Sequence, residues 1–330
     1  MIRCPCAHAF SAPARTIKFI EHGFAPPEGH ITGTICRPDI VAISADRPSS
    51  PPPDLSPRIE TQPPDSFSQS SYKEEPSESS EKQKFSWSEL EFAAEFLLKG
   101  KTFRQGTQQG VAYATYLLQQ RPDRVAVCGL YVAKSRFSLI LIDAAGAYST
   151  ALPWDDESAR NLLLRVVYYI NVPPMSMIDP TVTRHEDAFT VNVQGQVLEG
   201  YTLRSCGHPL GRRTVVFQCE GANHLVVKEQ YLRCPPEISE HTILTHIHEP
   251  GEMPGVVRVR SCEVVRRVDG SSIECGKGSQ RRQKVRLLLQ DTGTPFMAIS
   301  TPHEALVTAW DVLEGEWCYL ICKSWLMCQN

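Results

Sequence analysis

Apolar positions along this chain follow two regimes, a mixture of helical and strand-like spacing up to about residue 180 and a β-prone, partly alternating pattern beyond it. In the first regime, Cys36-Arg37-Pro38-Asp39-Ile40-Val41-Ala42-Ile43 predicts a short strand over 36–43. Ahead of it, residues 1–35 have no sustained period and stay unassigned, although Ile17 to Ile20 fits a strand or a short helix. Ser86 with Glu89 three residues later is a capping-box start. The following Glu91 to Leu98 fits either that helix or a buried strand. Gln105 to Gln120 predicts a helix with Val111, Ala114, Tyr116 and Leu118 near helical spacing, stopped by Arg121-Pro122. Strands are expected at Val125 to Val132 and Phe137 to Asp143, then a turn at Ala144-Ala145-Gly146. A second helix is expected over Asp156 to Val172, with Leu162, Leu163, Val166, Val167 and Ile170 on one face.

After Asp179-Pro180-Thr181, strands are predicted at Phe189 to Val193, Gln196 to Leu203, Thr214 to Gln218, Leu225 to Val227, Val256 to Val265 and Val285 to Leu289. One helix, Glu237 to Ile247, interrupts the later strands. A last helix, Thr301 to Leu313, opens on Thr301-Pro302-His303-Glu304, where Thr caps, Pro takes the first helical position and Glu closes the box. The fold class is therefore α+β: a small α/β N-terminal domain over 85–190, joined by the strand 36–43, then a second domain over 191–315. That second domain is expected to be a five-stranded antiparallel sheet with one helix, followed by a tail over 316–330.

Composition changes this picture in one place. Residues 44–84 are dense in Pro, Ser and acidic groups and hold too little apolar surface to offset chain entropy, so they predict a disordered insertion within the first domain. It serves either as a phosphorylatable tether or as a plain spacer. A net charge of −3 gives no global pull toward nucleic acid or membranes. The N-terminus lacks the apolar core of a secretory signal and no run of about 18 apolar residues occurs, which predicts an intracellular, cytoplasmic or nuclear, protein with no membrane partner. Its 12 cysteines accordingly predict reduced thiols rather than a disulfide framework, and their spacings do not make a zinc module.

The candidate chemistry lies in Leu225 to Leu244, where a short apolar strand carries Lys228 and the helix after Pro235-Pro236 offers Glu237 and Glu240. On alternation Lys228 points toward a cleft, or it is a solvated lysine at a strand edge. Glu240 is the better partner because Ile243, Leu244 and Ile247 after it must face the sheet. A strand lysine held by a helix glutamate is how a protein kinase grips the phosphates of ATP. Ser205 to Thr214, with Gly207 and Gly211, stands where a phosphate loop belongs, with Thr214 at its end; a plain hairpin uses similar residues. Gln290-Asp291-Thr292-Gly293-Thr294-Pro295-Phe296 reads as a nucleotide hinge or as a strand-to-helix connector. Between the last strands, Arg258, Arg260, Arg266, Arg267, Lys277, Arg281, Arg282, Lys284 and Arg286 predict a hairpin with one basic and one apolar face. Such a face suits nucleic acid or an acidic partner, but the absence of interleaved aromatics favours a solvated hairpin.

The order of several motifs resembles the fungal-type protein kinase-like domain family, in which an α/β region precedes a kinase-like domain. Arg37-Pro38-Asp39-Ile40, Trp87, Glu95, Gln109 with Tyr113-Ala114, and Arg121-Pro122-Asp123-Arg124 with Gly129 carry it in the first half. Gly211 to Val216, Lys228, Glu240, and Glu304 to Gly315 carry it in the second. The resemblance implies a kinase small lobe that binds ATP, with Mg²⁺ accompanying it, through Gly207, Gly211, Thr214, Lys228, Glu240 and Asp291. Neither His-Arg-Asp nor Asp-Phe-Gly occurs in these residues, so the expectation is a truncated product without the large lobe, binding nucleotide without phosphotransfer. Uncovered apolar surface then predicts self-association. Two alternatives stay open. One is a non-catalytic interaction module recruiting a protein partner through the basic hairpin and the tether. The other is a degenerate nuclease-like DNA binder, since Asp39 and Glu95 stand as would-be metal carboxylates; Leu97 replaces the lysine such a site needs two residues beyond the glutamate.

Overall fold

The computed structural model describes residues 17–21, 38–44, 85–97, 101–185, 188–219, 225–234, 239–249, 251–253, 255–291, 299–307 and 309–310. The insertion expected over 44–84 lies, apart from Ser44, outside the described residues, as does the tail over 316–330.

Two sheets organise the chain. The first contains β1 (Ile17–Glu21), β2 (Ile40–Ser44), β3 (Leu90–Phe96), β4 (Ala126–Val132), β5 (Arg136–Asp143) and β6 (Gly146–Ser149) in that order, with β7 (Leu152–Pro153) also paired to β5. Only β3 and β4 run parallel among its pairs, and the crossover they need is α1 (Phe103–Gln120). The ambiguous Glu91–Leu98 run is thus resolved as strand: Phe92, Ala93, Ala94 and Glu95 are all buried, because α1 covers one face of β3 and a second apolar layer covers the other. Ser86 and Glu89 do form a capping box, but on a single 3₁₀ turn at Trp87–Glu89.

Helix α1 starts two residues earlier than its apolar spacing indicates, because Thr102 and Gln105 form a second capping box. Its buried stripe is Gly106, Gly110, Tyr113, Ala114, Leu117 and Leu118, whereas Val111 and Tyr116 are only partly covered. The glycines set the approach distance. A Cβ on Gly106 would lie 2.0 Å from the Tyr131 ring. Helix α2 (Glu157–Asn171) begins at the Asp156 cap, but of its expected apolar face only Ile170 is buried, while Leu162 and Val167 are exposed.

The second sheet is entirely antiparallel and has the order β13-β15-β12-β11-β10-β9-β8. Its strands are β8 (Val182–Arg184), β9 (Phe189–Val193), β10 (Gln196–Cys206), β11 (Val215–Cys219), β12 (Val226–Arg233), β13 (Val259–Val264), β14 (Glu274–Cys275) and β15 (Arg282–Leu289), with β14 paired to β15. It is eight-stranded where five strands were expected. The expected five are present as β10, β11, β12, β13 and β15, with α3 (Glu240–His248) between β12 and β13. Of the other three, β9 coincides with the strand predicted at Phe189 to Val193, while β8 and β14 come from residues that pattern alone leaves in connections; β8 and β9 begin before residue 191 yet pair within this sheet. Beyond it, residues 302–307 and 309–310 are helical, with Thr301 and Glu304 exchanging the bonds of a capping box.

The two sheets meet through a small apolar cluster of Val125 and Ala144 from the first with Tyr231, Val265, Ile273 and Cys275 from the second. Among the described residues no helix is long and apolar enough to cross a membrane.

Candidate functional site

Strand β12 distributes its side chains by simple alternation. Val226, Lys228 and Gln230 lie on the face that α3 approaches, while Val227, Glu229 and Tyr231 point into the other face. Ser239 caps α3 by accepting from the Thr242 amide, and this places Glu240 in the first turn, directly opposite Lys228. The Lys228 Nζ stands 2.5 Å from Glu240 Oε1, and both side chains keep about a quarter of their surface in solvent. Gln230 Nε2 donates to the second oxygen, Oε2, at 3.5 Å, which fixes the plane of the carboxylate. Glu237, the other candidate partner, lies outside the described residues.

The loop from Gly207 to Thr214 reaches the same carboxylate by one side chain, Arg212. Its guanidinium is 3.7 Å from Glu240 Oε2 and donates to Gln230 Oε1 at 2.6 Å, while remaining largely exposed. Three cationic or amide side chains thus converge on Glu240. The loop's glycines play a different part from the one their spacing suggests. The Gly207 amide closes the loop on the Thr214 carbonyl at 2.8 Å, and the Gly211 amide, at a φ of 88°, donates to the Ala144 carbonyl in the turn after β5 at 2.7 Å. Both of those N–H groups already have backbone acceptors. Asp291 is engaged by Arg258 instead, accepting from its backbone amide at 2.8 Å and from Nη2 at 2.7 Å. Those hydrogen bonds hold its carboxyl below the usual range. Residues 292–296 of the expected hinge lie outside the described residues.

The basic hairpin face does not form as expected. Lys284 and Arg286 are buried, at 2% and 0% exposure, because β15 carries Val285, Leu287 and Leu289 on the α3 side and turns the alternate residues inward. There they meet acidic groups. Lys284 pairs with Asp179 and stands 2.6 Å from Glu229, and Arg286 pairs with Glu229 and lies 3.1 Å from Glu263. Burial pushes the Asp179 carboxyl up, but Lys284 and Arg286 outweigh it and hold the group below its ordinary value. The converse holds for Lys284: burial pulls it down, and Asp179 with Glu229 keep it above the usual lysine value. Elsewhere in the hairpin Arg258 bonds Asp291 and Glu252, Arg281 bonds Glu274, and Arg267 is spent on the carbonyls of Met175, Ser176 and Ile178. The basic row is thus divided: Lys284 and Arg286 are internal and matched by carboxylates, while Arg260, Arg266, Lys277 and Arg281 remain exposed. The signal available for this was the alternation of Lys284 and Arg286 with large aliphatics, combined with Glu229 in the strand that pairs beside them.

In the first sheet Glu95 is buried at 1% exposure, and burial together with the nearby Asp39 raises its pKa to about 6. Asp39 accepts from the Phe96 amide at 2.7 Å. Leu97 is exposed, and the cation beside Glu95 comes from Lys101, with Nζ at 3.5 Å. Lys101 also bonds Gln109 at 2.5 Å, and Gln109 bonds Tyr113. Among the described residues no group of three or more metal-ligating side chains gathers, here or elsewhere.

Compared with known families, residues 64–279 match the family described as fungal protein kinase. No curated protein and no solved structure matches the chain. The matched region contains α1, the strands of the first sheet from β3 onward, the loop from Gly207 to Thr214, the Lys228 and Glu240 pair and most of the basic hairpin. It spans well over half of the 330 residues. The chain therefore belongs to the fungal protein kinase family.

Proposed function

We propose that Lys228 and Glu240 form the phosphate-anchoring ion pair of a nucleotide site and that the ligand is ATP. The observation carrying this reading is the 2.5 Å pair itself, made between a sheet lysine and the first turn of α3, the helix inserted between β12 and β13. A buried structural pair would be sealed, whereas this one keeps both partners in contact with solvent, where a triphosphate can join the lysine without displacing core. Glu240 then holds Lys228 extended, and Arg212 from the loop adds a second cation for the phosphates. Mg²⁺ enters as the companion of the nucleotide, because among the described residues the side chains gathered at this site offer one carboxylate and no set of ligands of their own.

The reading is confined to binding. Phosphoryl transfer needs an aspartate to orient the accepting hydroxyl and side chains to hold the metal, and these residues contain neither His-Arg-Asp nor Asp-Phe-Gly. Titration of fluorescently labelled ATP with Mg²⁺ against the wild type and Lys228→Met tests it. Saturable binding lost in the variant supports the site; binding indifferent to the substitution rejects it.

A second reading, protein association, draws on α2. Its outer side exposes Leu164 at 65% and Tyr168 at 59%, one turn apart, with Leu162 and Tyr169 beside them. Light scattering should then report self-association that Leu164→Glu with Tyr168→Glu abolishes; a monodisperse monomer would reject it.

A further inference from the structure

The adjacent residues Arg212 and Arg213 leave the loop in opposite directions. Arg212 turns to Gln230 and Glu240. Arg213 turns into the first domain and is 3% exposed. Its Nη2 donates to the carbonyls of Leu118 and Arg121 at 2.9 Å each, and its Nη1 donates to the carbonyl of Arg124 at 2.8 Å. Leu118 lies in the last turn of α1 and Arg121 is its C-cap, so the guanidinium satisfies carbonyls that a helix end leaves without intrahelical donors. Its central carbon also lies 5.7 Å above the Tyr231 ring. To reach this place Arg213 adopts a φ of 42°, a left-handed conformation that is strained for an L-residue. The strain persists because the socket holds it.

The other end of the loop is tied to the same helix. Gln119 Nε2 donates to the carbonyls of Cys206 and Gly207 at 3.2 and 3.3 Å, and the Cys206 thiol donates back to the Gln119 carbonyl at 2.8 Å. Between the anchors the Gly211 amide meets Ala144. The loop that presents Arg212 is therefore suspended from the C-terminal end of α1 and the turn after β5, rather than held by its own sheet alone.

We propose that Arg213 is a positioning residue through which the N-terminal α/β domain sets the phosphate-facing loop, and with it nucleotide affinity, in the second domain. This rests on the reading of Lys228 and Glu240 as a nucleotide site. Arg213 does not touch the ligand; it acts through Arg212 and the loop backbone. A purely stapling role would alter global stability and leave the loop of the folded protein as it is.

The test uses the full chain as wild type, Arg213→Gln and Gln119→Leu, with two readouts: amide hydrogen exchange of residues 207–214, and binding of fluorescently labelled ATP with Mg²⁺. The expected result for Arg213→Gln is faster exchange at Gly207 and Gly211, unchanged exchange in β4 and β5, and ATP binding weaker by about tenfold. Gln119→Leu should move both readouts the same way by less, and it decides the matter if Arg213→Gln does not fold. Loop exchange and affinity both equal to wild type in the folded variants would overturn the proposal. If wild type binds no ATP, the nucleotide reading fails by itself, and the exchange arm still decides whether Arg213 and the first domain set the loop.

Discussion

Glu229 and Arg286 face each other across the β12–β15 ladder as direct register partners, and their ion pair is sealed from solvent at 1% and 0% exposure. Around it Lys284, Asp179 and Glu263 complete a mixed cluster in which Arg286 also donates to Thr181 Oγ1 at 2.8 Å. Asp179 and Thr181 belong to the connection between the two sheets, so this cluster binds the connection to the second sheet. Removing one member leaves a buried charge without its match. Arg286→Met is expected to lower stability by about 3–5 kcal/mol, measured by urea unfolding, and a loss under about 1 kcal/mol would show that the cluster is not sealed.

The same cluster sets an acid limit. The Asp179 carboxyl is held below its ordinary value in the folded chain, so the stability it contributes is present above the unfolded pKa and is lost as pH falls through the folded one. Melting temperature should decline on acidification below about pH 4, and Asp179→Asn, less stable than wild type at pH 7, should narrow that gap toward the acid end. A gap that stays constant with pH would refute the assignment.

Glu95 has the opposite sign. Its folded pKa of about 6 lies above the unfolded value, so its favourable contribution is complete below the unfolded pKa and disappears as pH rises through 6. Glu95→Gln should therefore stabilise the protein at pH 7.5 by on the order of 1 kcal/mol and lose that advantage near pH 4.5. Parallel melting curves of the two proteins across this range would count against it.

Lys228→Met should separate binding from folding. The pair it breaks with Glu240 is partly solvated, so the expected stability change is under about 1 kcal/mol, while ATP binding falls below detection. Loss of binding accompanied by an equally large loss of stability would point to a damaged fold rather than a removed anchor.

Gly106→Ala tests the close approach of α1 to the first sheet. The added carbon would meet the Tyr131 ring at 2.0 Å, and Tyr131 is fully buried, so the ring or the helix has to shift. Despite alanine's better helix propensity, the variant should be less stable by about 1–3 kcal/mol in thermal or urea unfolding. An equally stable variant would show that the helix can lift away.

Much of the architecture was legible along the chain, for a physical reason: backbone periodicity and capping are local. The stop of α1 at Arg121-Pro122, the turn at Ala144-Ala145, and the caps at Ser86 and Thr301 are each set by a few neighbouring residues. The Lys228 and Glu240 pairing was also within reach, because strand alternation and helix phase together leave Glu240 the side chain turned toward Lys228.

What sequence spacing could not assign is which face of each strand another element would cover. Lys284 and Arg286 read as a solvated basic row, and only the arrival of Asp179 from the connection and Glu229 from the neighbouring strand makes that row an interior one. Likewise Gly207 and Gly211 carry a loop signature in the sequence, while the acceptor for Gly211 lies on the turn after β5 and the socket for Arg213 lies at the end of α1, far away in the chain. Local residues determined the elements and the clamp on β12 and α3. Long-range packing alone decided where Lys284 and Arg286 went and which elements hold the loop, because burial and ion pairing depend on partners that no local pattern contains.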